Sequence, residues 1–118
     1  MLWLRKRLRR LWLVVKNHLW GTPIPLETVR VPEQPDEFRA GNLYLIGENG
    51  FLWIAALLCP CGCQSVIQMN LLPEAKPCWR VEEHSDGTVS LSPSIWSRKG
   101  CDSHYFVRRG FVKWHIES

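Results

Sequence analysis

Apolar residues recur at helical spacing along the first twenty positions, and beyond residue 25 the pattern changes to short alternating or wholly apolar runs. In the opening stretch, "MLWLRKRLRRLWLVVKNHLWG", Leu4, Leu8, Leu11, Val15 and Leu19 fall on one stripe widened by Trp12, while arginines take the other faces. Gly21 and Pro23 end it. The pattern predicts a basic amphipathic helix over residues 1–21. After "GTPIP" the runs predict strands at "LETVRV" (26–31), "LYLIG" (43–47), "FLWIAALL" (51–58), "SVIQMNLL" (65–72), "CWRVEE" (78–83), "GTVSLS" (87–92), "SHYFVR" (103–108) and "FVKWHIE" (111–117). The tetrads and triads "ENG", "HSDG" and "RRG" place glycine or asparagine where a tight hairpin needs positive φ. "VPEQPDEFRAGN", with two prolines and no apolar period, reads as an exposed connector. The expected fold is mostly β within the α+β class: a small antiparallel β domain over residues 22–118 preceded by the helix, with no internal repeat.

Composition narrows the size and moves the charge. A chain of 118 residues with 46% hydrophobic content suits one domain with a modest core. The net charge of +4 is carried by the helix: Arg5, Lys6, Arg7, Arg9, Arg10 and Lys16 occur where there is no acid, whereas the remainder sets nine bases against eleven acids. The apolar patch Leu11 to Val15 is shorter than the roughly 7–15 residues of an export signal or the about 20 of a membrane span. The expected location is therefore the cytoplasm. The helix either docks on the domain with a solvated cationic face or, through residues 1–20, brings the protein to an anionic membrane surface or an acidic partner. Nucleic acid is disfavoured, because no second basic patch or base-reading motif accompanies the helix.

Five cysteines, an odd number without a secretory signal, argue against disulfides. Cys59, Cys61 and Cys63 alternate in "CPCGC", in what should be the loop of the hairpin formed by 51–58 and 65–72, and Cys101 and His104 follow as C-x-x-H in "GCDSHYF". Two hairpin loops with soft ligands are how small β modules hold a tetrahedral Zn²⁺, and a small domain gains folding free energy from an ion that binds only once both loops meet. A Rieske-type iron–sulfur centre needs two histidines that these loops do not offer. Five candidates, Cys59, Cys61, Cys63, Cys101 and His104, exceed four positions: either four thiols close the shell, or His104 completes it and one cysteine is spare. Cys78, beside Pro77 and Trp79, is expected to be a packed core thiol.

The blocks "CPCGC", a tryptophan at 79, "GTVSLSPSIW" and "GCDSHYFVRRGFVKW" together resemble a small bacterial domain-of-unknown-function family over roughly residues 42 to 115. Genes of that family lie beside those for ubiquitin-like, E1-like and E2-like proteins in bacterial conjugation operons. The resemblance implies a pathway that attaches a ubiquitin-like protein to targets, with ubiquitin-like and E1/E2-like proteins as partners. Such a pathway needs a peptidase that trims the precursor or removes it from targets.

A serine peptidase needs a nucleophile, a base and a group that orients the base. Ser94 with His104 is the first pair to examine, because both lie in the blocks that carry the resemblance, and Asp86 is the expected orienter. Ser103, His84 and Asp102 supply the other combinations. A metallopeptidase with Glu82 or Glu83 as base comes second, since there is no H-E-x-x-H and a cysteine-rich shell suits structure better than hydrolysis. The alternative outside enzymology is a zinc-stapled module that docks the ubiquitin-like or E1/E2-like protein through tryptophans such as Trp53, Trp79, Trp96 and Trp114. Kinase and dehydrogenase chemistry lack their glycine-rich loops here.

Overall fold

The computed structural model describes residues 23–97 and 100–115, all of which are strands, turns and loops. The helix expected over residues 1–21 lies outside the described residues. Nine strands follow in order: β1 (Ile24–Pro25), β2 (Glu27–Val31), β3 (Asn42–Glu48), β4 (Phe51–Leu58), β5 (Val66–Asn70), β6 (Arg80–Glu83), β7 (Val89–Trp96), β8 (His104–Arg108) and β9 (Phe111–Trp114). They form two sheets, one ordered β1-β9-β8-β7-β6 and the other β2-β3-β4-β5.

The three turn signals each close a hairpin. Asn49 and Gly50 at φ 54° and 77° join β3 to β4, Gly87 at 87° joins β6 to β7, and Arg109 and Gly110 at 47° and 80° join β8 to β9. Consecutive positive φ angles match the right-handed twist of the paired strands. One pairing departs from the antiparallel expectation: β2 runs parallel to β3, Val29 beside Tyr44 and Val31 beside Ile46. A parallel pair requires a crossover. Residues 32–41 provide it, and they do more than connect, for Phe38 packs edge-on against Tyr44 at 5.2 Å and the Arg39 amide donates to the Tyr44 hydroxyl at 3.0 Å.

The main core is the contact between the sheets. Leu43, Leu45, Ala55, Leu57 and Met69 from one sheet meet Val89, Leu91, Ile95, Tyr105, Val107 and Val112 from the other, all buried. In β7 the inward set is Val89, Leu91 and Ile95, and in β8 it is Tyr105 and Val107. Period-2 alternation therefore sends Ser90, Ser94 and Trp96 of β7, with His104 and Phe106 of β8, to the opposite face. A smaller cluster, Tyr44, Ile46 and Ala56, lies under Val29, Val31, Phe38 and Trp53 on the other side of the second sheet.

The strand at "GTVSLS" is longer than its sequence pattern predicts. Instead of ending at Ser92 it continues through Pro93 to Trp96, with a register shift between Leu91 and Ile95. Leu91 faces Val107 and Ile95 faces Tyr105, so Ser92, Pro93 and Ser94 oppose the single residue Phe106. A bulge of this kind accommodates the proline and re-aims the side chains around it.

Candidate active site and thiol cluster

The bulge sets Ser94 beside the start of β8. Trp96 is the register partner of His104, and Ser94, two residues earlier, places its Oγ 2.8 Å from His104 Nε2. Both residues are half-buried. The imidazole is held by rings on two sides: Trp96 stacks on it with centroids 4.8 Å apart and planes within 7°, and His115 lies at 4.3 Å. The Trp96 indole is fixed in turn, its Nε1 donating to Asp102 Oδ1 at 3.0 Å. Asp102 sits at φ 59° in the β7–β8 loop, a conformation that aspartate tolerates better than most residues. From the other edge, Trp79 Nε1 donates to the Ser94 carbonyl at 3.4 Å.

Asp86, the expected orienter, does not reach this pair. Its carboxylate accepts from the Thr88 amide at 3.0 Å and the Thr88 hydroxyl at 2.6 Å in the β6–β7 turn, at the opposite end of β7 from Ser94. Those two bonds, with smaller help from His84 and Arg109, hold its carboxyl below the usual range. A short aspartate side chain at a turn is captured by the backbone two residues on, and this one is. Among the described residues no carboxylate is hydrogen-bonded to His104.

A second Ser–His pair occupies the same sheet face. His84 Nε2 lies 2.7 Å from Ser90 Oγ, but the Arg109 amide also donates to that oxygen at 2.9 Å, so Ser90 ties the β8–β9 turn to β7. Ser103 is buried and accepts from the Cys101 thiol at 3.0 Å, which binds it to the cysteine cluster and not to a base. Ser94 and Ser90 both pair a hydroxyl with an imidazole and both line one groove, but the Ser90 oxygen is already occupied by the Arg109 amide, whereas no backbone amide donates to Ser94 Oγ among the described residues. That groove, about 640 Å³, is lined by Ser94, Pro93, Phe106, Arg108, Lys113 and Glu82, among others.

The sulfur atoms of Cys59, Cys61, Cys63 and Cys101 all lie within 4.8 Å of one another. Cys59 Sγ is 3.3 Å from that of Cys61 and 3.4 Å from that of Cys101, well beyond the about 2.05 Å of a disulfide. The three loop residues come from the turn between β4 and β5, where Gly62 at φ 92° and Gln64 at 70° bend the backbone. Cys101 comes from the loop between β7 and β8, so the cluster joins the two sheets at one end. His104 is not in it, its Nε2 being turned to Ser94.

The donor set fits a metal. Metal–sulfur bonds of about 2.3 Å in a tetrahedron put the sulfurs about 3.8 Å apart, close to what is found. Burial pushes the Cys59 thiol well up. At Cys101 burial acts the same way but is outweighed by its hydrogen bonding with Ser103 and Cys61, which brings the thiol down to about 6. A thiol that ionises this readily is half-prepared as a ligand. The Tyr105 hydroxyl, buried and without a hydrogen-bond partner, feels the charge of all four cysteines and is raised, first by burial and then by them. Four thiols fill a tetrahedral shell and leave no open position for water. Glu82 and Glu83 stand on β6 opposite Ser90 and Val89, and Glu83 pairs with Arg30. Cys78 is half-buried, lines a shallow cleft with Leu52 and Leu71 and is outside the cluster.

Trp96, His115 and Ser90 were not among the residues that sequence reasoning singled out for catalysis; His84 was, as a possible base, and it pairs with Ser90. The phase of β7 held a signal for Trp96, since it is two residues from Ser94 and shares its face, but the strand had to be extended past Pro93 to use it. No helix among the described residues is long and apolar enough to cross a membrane. The family model described as bacterial ubiquitination-like system serine protease (BubE) matches residues 30–115. No curated protein and no solved structure matches the chain.

Proposed function

The chain belongs to that bacterial ubiquitination-like system serine protease family, and we propose that Ser94 is its nucleophile and His104 its general base, cleaving an acyl bond of a ubiquitin-like protein. The observation that carries this reading is the 2.8 Å contact between Ser94 Oγ and His104 Nε2 on a sheet face that opens to a groove. A serine hydroxyl is a weak nucleophile until a base takes its proton, and a contact of this length allows the transfer. His104 Nε2 accepts the Ser94 proton as Oγ attacks the carbonyl carbon, and returns it to the leaving amine as the acyl–nitrogen bond breaks. Water, activated by the same imidazole, then releases the acyl group and restores Ser94.

The carboxylate of a full triad is replaced here by packing. Trp96, held by Asp102, fixes the plane of the imidazole, and His115 closes the other approach. These are positioning residues. The expected substrates are the precursor of a ubiquitin-like protein or its conjugates, with E1-like and E2-like proteins as pathway partners.

The four thiols are proposed to hold Zn²⁺ in a structural role. When bound, the ion would supply a cross-link between the β4–β5 and β7–β8 loops, and the latter carries Asp102 and leads into His104. The test is intact-mass analysis of a ubiquitin-like precursor from such a system after incubation with the wild-type protein, Ser94→Ala and His104→Ala. Wild type should shorten the precursor and both variants should leave it whole, with zinc content unchanged. Cleavage by Ser94→Ala, or loss of zinc in His104→Ala, overturns the assignment. Binding of the ubiquitin-like protein without any cleavage by wild type favours the non-catalytic docking module.

A further inference from the structure

The groove beside Ser94 has a charge that the nucleophile and base do not require. Arg108, Arg109 and Lys113 line it against one acid, Glu82. Among the described residues the salt bridge is Arg30 with Glu83, so no cation of the groove is neutralised by a direct ion pair. Asp86 lies outside the lining, near enough to Arg109 to feel its charge, which leaves Arg108 and Lys113 as the groove's effective cations. Arg108 is also placed: its guanidinium carbon stands 4.6 Å from the centroid of the Phe106 ring, a stacking that stiffens an otherwise mobile side chain.

Strand register gives the spacing of these charges from the site. Phe106 is two residues beyond His104 on β8 and pairs with Lys113 on β9, and Arg108 is four residues beyond His104. At about 3.3 Å per residue, Lys113 lies roughly 7 Å and Arg108 roughly 13 Å along the strand from the base. An extended peptide has the same rise, so its side chains reach these cations two and four residues from the bond held at Ser94. Phe106 between them offers an apolar step.

Resting on the assignment of Ser94 and His104 as the site, we infer that this groove is the substrate channel and that it takes an extended segment of the substrate protein bearing Asp or Glu two and four residues from the cleaved bond. Opposite charge here steers the segment and sets its register on the sheet. Arg108 and Lys113 thereby select the substrate without touching the reacting atoms.

The test is separate from catalysis. Fluorescence anisotropy of a labelled octapeptide carrying two glutamates is followed against full-length Ser94→Ala protein, alone and with Arg108→Glu and Lys113→Glu added, beside the same octapeptide with lysines in place of the glutamates. The acidic peptide should bind and the basic one should not; the double reversal should weaken acidic binding about tenfold and admit the basic peptide. Lys76→Glu, a reversal away from the groove, controls for net charge, and the basic residues 1–20 are common to every protein compared. Melting temperature confirms that the double variant is folded; if it is not, Arg108→Gln with Lys113→Gln replaces it and should still weaken the acidic peptide. Equal binding of both peptides, or equal weakening by Lys76→Glu, overturns the inference. Absence of peptidase activity in wild type with this binding pattern intact would overturn the catalytic assignment alone.

Discussion

His104 has no carboxylate partner among the described residues, and what holds its ring is the parallel indole of Trp96 and the hydrogen bond that Asp102 accepts from it. Orientation of a base is worth rate because a ring turned away from Oγ cannot take its proton. Trp96→Ala should lower kcat by about tenfold with KM nearly unchanged, Trp96→Phe should restore part of it, and Asp102→Asn, which keeps an acceptor, should cost less than Asp102→Ala. Steady-state kinetics on a cleaved precursor checks the series; a change confined to KM would make Trp96 a substrate contact instead. At Tyr105 the opposite is expected. Its hydroxyl is buried with no partner, so Tyr105→Phe should leave stability unchanged or raise it by about 1 kcal/mol in denaturant unfolding.

At the scale of elements, two bulges shape the site and the sheet beside it. In β3 the register shifts between Ile46 and Gly47, and a Cβ on Gly47 would stand 2.0 Å from the Phe51 carbonyl oxygen. Backbone cannot yield as a side-chain tip does, so Gly47→Ala should destabilise by about 1–3 kcal/mol and lower the melting temperature by several degrees. In β7 the bulge at Ser92 to Ser94 brings the hydroxyl to His104. The hairpins were legible in the sequence because "ENG", "HSDG" and "RRG" name their own turns, and the thiol loop because "CPCGC" falls between two apolar runs. The parallel pairing of β2 with β3 was not, since it depends on Phe38 and Arg39 folding back onto Tyr44, a contact without local signature. Asp86, expected to orient His104, is held instead by the Thr88 amide and hydroxyl in its own turn. Ser94 and His104 were found through family blocks, and their register across β7 and β8 depends on a bulge that period-2 reading skips.

At the scale of the whole molecule, the described residues form two sheets packed face to face, with four cysteines from loops of each gathered at one end. An ion bound there would close a cross-link between residues 59–63 and 101, so its removal should be felt in stability before chemistry. Cys101→Ser, or prolonged chelation, should lower stability by several kcal/mol and reduce activity only as far as the β7–β8 loop loosens. Elemental analysis with a melting curve reads both, and rapid full inhibition by chelator in still-folded protein would mean that the ion takes part in the reaction. The central claim, that Ser94 is the nucleophile activated by His104, is tested most directly by labelling the wild-type protein with a fluorophosphonate and locating the adduct by peptide mass mapping. The expected result is one adduct, on Ser94, absent from Ser94→Ala and strongly reduced in His104→Ala. An adduct on Ser90 or Ser103, or undiminished labelling of Ser94 without His104, would contradict it.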